Sequence, residues 1–277
     1  MRKKWMTIFL IGIVMITGLI GCGKAKEEQV DGNKKTITYG KAAGPYTILF
    51  EDAVMPILEK EGYEFKCVEF SDLLQSDMAL NEGEIDMNVE QHMAYMKNFN
   101  KEQNGNLVAV TPIPTVPAGL FSSTHKALEE ITENAKIAVP NDASNTSRAY
   151  AILQKAGWIK LDSNVDISAV TQDDIIENPY NLQFTEMDSA NIPRSLDEFD
   201  YAVIPGSVVY SAGMDADSVL LQEDVAEHLL LQVVINEKEK DSDWAKAVVN
   251  AYRSEEFKKY MEENNHGLWY VPNSQTK

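Results

Sequence analysis

The spacing of apolar residues switches repeatedly between two periods along this chain. Short runs rich in β-branched residues give way to stretches where apolar positions recur every three or four residues, the marks of strands and of helices with one buried face. Strands are expected at 36–40, 65–70, 85–88, 107–112, 136–140, 182–187, 201–204 and 229–236. Helices are expected at 46–60, 72–81, 91–99, 125–131, 144–155, 192–196 and 244–264, with another opening at Pro205-Gly206-Ser207. Pro56 should bend the first helix or start a new turn, because proline lacks the N–H a helix interior needs. Gly157 should close the helix of 144–155, and Asp241 to Asp243 supply an acidic start to the last one. Strands interleaved with helices predict an α/β protein with a mostly parallel sheet.

There are two such series, and the second is inserted in the first. The expected layout is a first lobe of residues 36–117 plus 206–277 and a second lobe of 118–205, joined by two crossing segments with a cleft between them. In open α/β sheets ligands sit beyond the carboxyl ends of strands, at helix N-termini.

The first 22 residues stand outside this pattern. Arg2, Lys3 and Lys4 precede an uncharged, mostly apolar stretch, Trp5–Ile20, that ends at Leu19-Ile20-Gly21-Cys22. A basic start and a short apolar segment describe an export signal, and about 16 residues is short of the ~20 a spanning helix needs. The Leu-x-Gly-Cys ending resembles the lipobox of bacterial lipoproteins, which implies cleavage before Cys22 and lipidation of its thiol. Residues 23–35 then read as a flexible tether. The expected location is the extracytoplasmic face of the cell membrane, held there by lipid.

Composition narrows the function. The chain of 277 residues carries 25 Lys plus Arg against 43 Asp plus Glu, a formal charge of −18, which becomes −21 once the three basic signal residues are removed. Such acidity argues against nucleic acid, whose phosphates need a basic surface. Two cysteines exclude a disulfide scaffold or a four-Cys zinc site. With Cys22 lipidated, Cys67 has no intrachain partner and reads as a structural thiol in a strand. The four histidines, His92, His125, His228 and His266, show no metal-ligand spacing. Trp158, Trp244 and Trp269 read as packing residues, and the acidic run from Glu223-Asp224 to Glu227 as a solvated face. No cofactor is expected, and the chain is expected to be a monomer.

The most informative segment is Pro140-Asn141-Asp142-Ala143-Ser144-Asn145-Thr146-Ser147-Arg148, between a strand and a helix. It is rich in N-cap residues, and free N–H groups at a helix start make an anion seat. Arg148 falls in the first turns, where a cation does not help the helix. It either clamps a ligand carboxylate with its bidentate fork or pairs with a nearby Asp or Glu; residue type and spacing leave both open. Tyr46, just after Gly44-Pro45, likewise lines the cleft or packs in a core.

From Thr36 to about Pro272 the chain resembles the MetQ/NlpA family of lipoproteins, the methionine-type substrate-binding proteins of ABC importers. The resemblance is carried by Gly44-Pro45, Ala79-Leu80 with Gly83-Glu84-Ile85-Asp86, Asn88 with Gln91-His92, Asn98-Phe99-Asn100-Lys101-Glu102 and Pro117 with Gly119-Leu120. It continues through Pro140-Asn141-Asp142 with Asn145 and Arg148, Leu153-Gln154-Lys155-Ala156-Gly157, and Ala202-Val203-Ile204 with Gly206. It implies a two-lobed type II periplasmic-binding-protein fold that closes on an amino acid and delivers it to a membrane permease. Asn145 and Arg148 match the positions that hold the ligand's carboxylate. Asn141, Asn88, His92, Tyr46, Gly206 and Ser207 complete the candidate site.

The sequence also departs from the family. Val89-Glu90 stands where a Tyr-Phe pair usually precedes Gln-His, Pro114 and Val116 replace a usual His and Glu, and Pro205-Gly206-Ser207 replaces Asn-Gly-Asn. Aromatics that would pack a methionine side chain are missing and a carboxylate, Glu90, is gained. Glu90 pairs with a cationic group of the ligand, or is a solvated residue at a helix start. The expected ligand is methionine, a related amino acid or a short peptide. The alternatives are a lipid-anchored hydrolase or a surface adhesin that has kept the fold. Against the hydrolase, there is no Gly-x-Ser-x-Gly elbow, zinc signature or Cys-His pair.

Overall fold

The computed structural model describes residues 35–273. The export signal, Cys22 and all of the tether before Lys35 lie outside the described residues. The strands are β1 (Thr36–Lys41), β2 (Glu64–Glu69), β3 (Met87–His92), β4 (Leu107–Pro112), β5 (Gly119–Phe121) and β6 (Lys136–Pro140). A short ribbon, β7 (Lys160–Leu161) with β8 (Ile175–Glu177), precedes β9 (Gln183–Met187), β10 (Tyr201–Ile204), β11 (Leu221–Gln222) and β12 (Leu231–Asn236).

They form two five-stranded sheets, ordered β2-β1-β3-β12-β4 and β11-β5-β10-β6-β9. Both are mixed, not mostly parallel. β1 runs parallel to β2 and β3, and β6 parallel to β9 and β10, whereas β12 is antiparallel to β3 and β4, and β5 to β10 and β11. The reason is where the chain changes lobe. β12 begins with Leu231 opposite His92, the last residue of β3, and β5 begins with Gly119 opposite Ile204, the last residue of β10. A strand that enters a sheet from the cleft end must run against strands that finish there.

Each sheet has apolar clusters on both faces. On β12, Val233 belongs to a core with Ile37, Phe50, Leu58, Trp244, Val248 and Phe257, while Val234 faces Leu80, Phe99 and Leu107, as successive strand residues must. The second sheet buries Ile137, Tyr150, Trp158 and Val203 on one side, and Phe121, Ala202, Ile204 and Val209 on the other. Trp158 and Trp244 pack as expected. Cys67 is in a strand, but β2 is an edge strand and the thiol is exposed.

The helices correct several expected boundaries. α1 (Pro45–Leu49) runs through a π-helical turn, Phe50–Val54, into α2 (Met55–Lys60). The Met55 N–H reaches back to the Phe50 carbonyl, a widened turn that accommodates Pro56 without ending the element. α3 (Leu73–Glu82) is capped by Asp72. α4 (Met93–Gln103) begins later than expected, because Gln91 and His92 pair with β12 as the end of β3. No α-helix forms at 125–131, only a 3-10 turn at Leu128–Glu130. There the Ser122 hydroxyl accepts the Thr124 and His125 N–H groups and Glu130 accepts that of Lys126, so side chains capture the donors a helix would use.

α5 (Ala143–Lys155) packs on the second sheet. α6 (Gly206–Ser211) does not return the chain to the first lobe at residue 206. Its Val209 packs with Phe121 and Ile204, and β11 hydrogen-bonds to β5, so 206–222 stays with the second sheet and the return comes at β12. The final helix is two, α7 (Asp243–Tyr252) and α8 (Glu255–Asn264), because the Ser254 hydroxyl accepts the Phe257 N–H and starts a new helix.

Candidate ligand-binding cleft

The two lobes face each other across a cleft of about 920 Å³. The first lobe contributes the start of α1, the end of β3 and the starts of α3 and α4. The second contributes the starts of α5 and α6 and residues 188–190 and 193–194.

The start of α5 is built from its own sequence. Asp142 is the N-cap, its Oδ1 accepting the Asn145 N–H at 3.0 Å and the Ser144 hydroxyl at 2.9 Å. The Asn145 amide nitrogen donates to both Asp142 oxygens at 3.1 Å. That turns Asn145 Oδ1 away from Asp142, and it accepts from Arg148 Nη1 at 3.3 Å and from His92 Nε2 at 3.3 Å. His92 Nδ1 accepts the Tyr95 N–H at 3.1 Å, so the ring proton sits on Nε2 and donates to Asn145. Burial, with Arg148 nearby, pushes the imidazole pKa down to about 4, which keeps it neutral. A side chain of the first lobe thus bonds one of the second across the cleft.

Of the two alternatives left open for Arg148, the structure shows the ion pair with a carboxylate. Its Nε donates to Glu223 Oε2 at 2.6 Å and its Nη2 to Glu223 Oε1. Glu223 Oε1 also accepts the Ala118 N–H at 2.8 Å, on the first crossing segment. Both side chains of the pair are about 5% exposed. Burial opposes both charges, and their mutual attraction overrides it, holding Arg148 above its ordinary pKa and Glu223 below its own. A guanidinium has five N–H donors, so the fork still has donors for a ligand beyond those given to Glu223 and Asn145. Glu223 corrects an expectation. It is not part of a solvated run, although Asp224 is, pairing with Lys155 at the surface. No local pattern separates the two, because the partner lies 75 residues away.

Of the other candidates, Asn141, Tyr46, Gly206, Ser207 and Glu90 line the cleft. Tyr46 does so while buried: its hydroxyl accepts the Val116 N–H at 3.2 Å and its ring meets Trp269 edge-on. Glu90 is a strand residue, not one at a helix start, and takes the Thr47 hydroxyl. Asn88 is not brought to the cleft. It is fully buried, and its amide donates to Asp77 Oδ1 at 2.8 Å. Gln91, Tyr95, Asp188, Ser189, Ala190, Pro193 and Arg194 also line the cleft and were not among the sequence candidates.

Asp77 is buried, with only amide partners and one oxygen unpaired. Burial pushes its pKa up to about 7. The folded state therefore holds this proton up to about pH 7, while an unfolded Asp releases it near 3.9. Its contribution is fully present below pH 4 and declines as pH rises to 7. Asp77→Asn should be more stable than wild type at pH 8, by a margin that shrinks steadily from pH 7 to 4. Denaturant melts at stepped pH check this; a pH-independent difference would refute it.

Two lobes of mixed α/β structure, crossed by two segments and presenting helix starts from both sides to one cleft, define the architecture of a solute-binding protein. The profile of the NlpA lipoprotein family matches residues 37–272, and the chain belongs to that family. It is 31% identical over 261 residues to the D-methionine-binding lipoprotein MetQ of Escherichia coli K12, covering 92% of this chain and 94% of that one. It is also 31% identical over 276 residues to the membrane lipoprotein TpN32 of Treponema pallidum, covering 98% and 99%. Among solved structures, a nutrient binding protein from Burkholderia cenocepacia bound to methionine superposes with a TM-score of 0.79 at 32% identity, covering 85% of this chain and 99% of that one.

Proposed function

We propose that this protein is the extracytoplasmic solute-binding component of an ABC importer, and that it captures an amino acid between its lobes. The observation that carries the reading is the start of α5, where Asn145 and the Arg148 fork meet His92 from the opposite lobe. A ligand carboxylate takes the remaining donors of the Arg148 fork. Its other end reaches the first lobe, and contacts to both lobes shift the open–closed equilibrium toward closure. The closed form docks on the permease. Lipid on Cys22 keeps the protein at the membrane, and among the described residues no helix is long and apolar enough to cross one.

The amino-acid ligand is supported by relatives whose names record methionine binding. A hydrolase is disfavoured by His92, which faces the amide of Asn145 and not a nucleophile. Thermal melts of the full chain with single amino acids test the reading. A ligand at 100 times its Kd adds about 2.7 kcal/mol, which raises Tm by roughly 5–10 °C. Asn145→Ala should abolish the shift. If no amino acid moves Tm, the adhesin reading takes over.

A further inference from the structure

Glu90 occupies an unusual place in this cleft. It projects from β3 into the cleft wall opposite the start of α1. The Thr47 hydroxyl donates to its Oε1, and the backbone N–H groups of Ala42 and Thr47 also face the carboxylate. Gly44, in a conformation open to glycine alone (φ 155°, ψ 175°), leaves room beside it. A Cβ there would lie 3.4 Å from Glu90 Oε2 and 3.7 Å from the Ser207 Cβ of the second lobe. All these partners are neutral. Lys41, on β1, gives its ammonium to Glu51 at 2.7 Å, and among the described residues no Lys or Arg pairs with Glu90.

The rest of the cleft does not compensate this carboxylate. Asp72, Asp142 and Asp188 also line it, whereas Arg148 is already matched by Glu223, and Arg194 is the one other basic residue among those lining it. An α-amino acid brings one carboxylate and one ammonium, which cancel. The ionisable neighbours of Arg148 include Glu223, Tyr46 and Asp142, while those of Glu90 include Lys41, Glu51, Tyr46 and Tyr252. Glu90 is held by Thr47 in the first lobe, whereas Asn145 and Arg148 belong to α5 in the second.

We infer that Glu90 is the side-chain subsite of the cleft and that it selects an amino acid carrying a second cationic group on its side chain. This rests on the solute-binding reading above. The ligand's carboxylate lies at the start of α5 and its side-chain ammonium or guanidinium against Glu90, where a charge-assisted hydrogen bond in a partly desolvated site replaces neutral donors.

The test is calorimetric titration of the full chain with L-lysine, L-ornithine, L-arginine and L-methionine. At least one basic amino acid should bind about 30-fold more tightly than methionine, the worth of a hydrogen bond to a charged group. Glu90→Gln should erase that margin and leave methionine within about threefold of its wild-type affinity. Wild type supplies a second measurement that does not depend on a variant folding. Burial pushes the Glu90 carboxyl up to about 8, and a bound cation would lower it, so affinity for the basic ligand should fall as pH drops from 8 to 6. The groups around it are Lys41, Glu51, Tyr46 and Tyr252, and Asp77 titrates in the same range behind Gln91. Methionine, which feels Asp77 equally, is the control. Methionine binding as tightly as every basic amino acid, with selectivity unchanged in Glu90→Gln, overturns the inference and leaves the solute-binding reading standing. No binding by any of the four overturns the inference, and the melts with the remaining amino acids then decide the solute-binding reading.

Discussion

Arg148→Ala should both destabilise the protein and abolish solute binding. Removing the guanidinium strands Glu223, a buried carboxylate left with the Ala118 N–H as its hydrogen-bond donor. Breaking one side of a buried ion pair costs about 3–5 kcal/mol, because the remaining charge is uncompensated. The penalty should shrink as pH falls from 7 toward 5, since the orphaned carboxyl can then take a proton. Asn145 also loses its Nη1 donor, so the seat at the start of α5 loses its fork and part of its orientation. The control is Arg148→Met combined with Glu223→Leu. An apolar pair of similar volume should recover most of the stability and none of the binding. Denaturant melts and calorimetry on the three proteins separate the roles. Stability within 1 kcal/mol of wild type for the single variant at pH 7 would contradict the buried pair.

Gly206→Ala should disturb the crossing itself. A Cβ at this position would lie 2.5 Å from the Val116 Cγ1 and 2.6 Å from the carbonyl oxygens of Val116 and Pro117. Val116-Pro117 lies on the first crossing segment, and Pro205-Gly206 follows β10. Two of the three obstacles are backbone, which cannot rotate away as a side-chain tip can. Alanine usually gains about 0.4–1 kcal/mol over glycine by restricting the unfolded chain. Here the overlap should outweigh that gain and give a net loss of roughly 2–3 kcal/mol. Because the relief must come from spreading the crossing, ligand affinity should fall as well. Small-angle scattering should show a larger radius of gyration in the presence of ligand than wild type has. Unchanged stability and affinity would refute the close approach.

Much of this site is legible from local residues. Asp142, Ser144 and Asn145 are N-cap types at the head of an amphipathic stretch, and they form the start of α5. Pro56 announced an irregular turn, and the π-helical segment before it is that turn. The break at Ser254 was equally visible, as a Ser followed by Glu255 and Glu256, but it was overridden by the longer apolar period of 244–264. His92 read as helical because Met93 onward is helical; pairing with Leu231, 139 positions later, holds it in the strand. Glu223 looked like its neighbours Asp224 and Glu227, and its burial follows from Arg148, 75 residues before it.

The division has a physical basis. Periodicity, caps and breakers act within a few residues, so the sequence by itself determined the alternation of strands and helices, the capped helix start at 140–148 and the acidity of the chain. Pairing energies act between segments distant in sequence, and only the tertiary structure decided them. It alone set which strands run antiparallel, kept 206–222 with the second sheet and buried Glu223 against Arg148. It likewise turned Asn88 into the core and Glu90 into the cleft, two residues apart on the same strand, because the β3–β12 register shifts between Asn88 and Gln91 and the bulge breaks the strict alternation of faces.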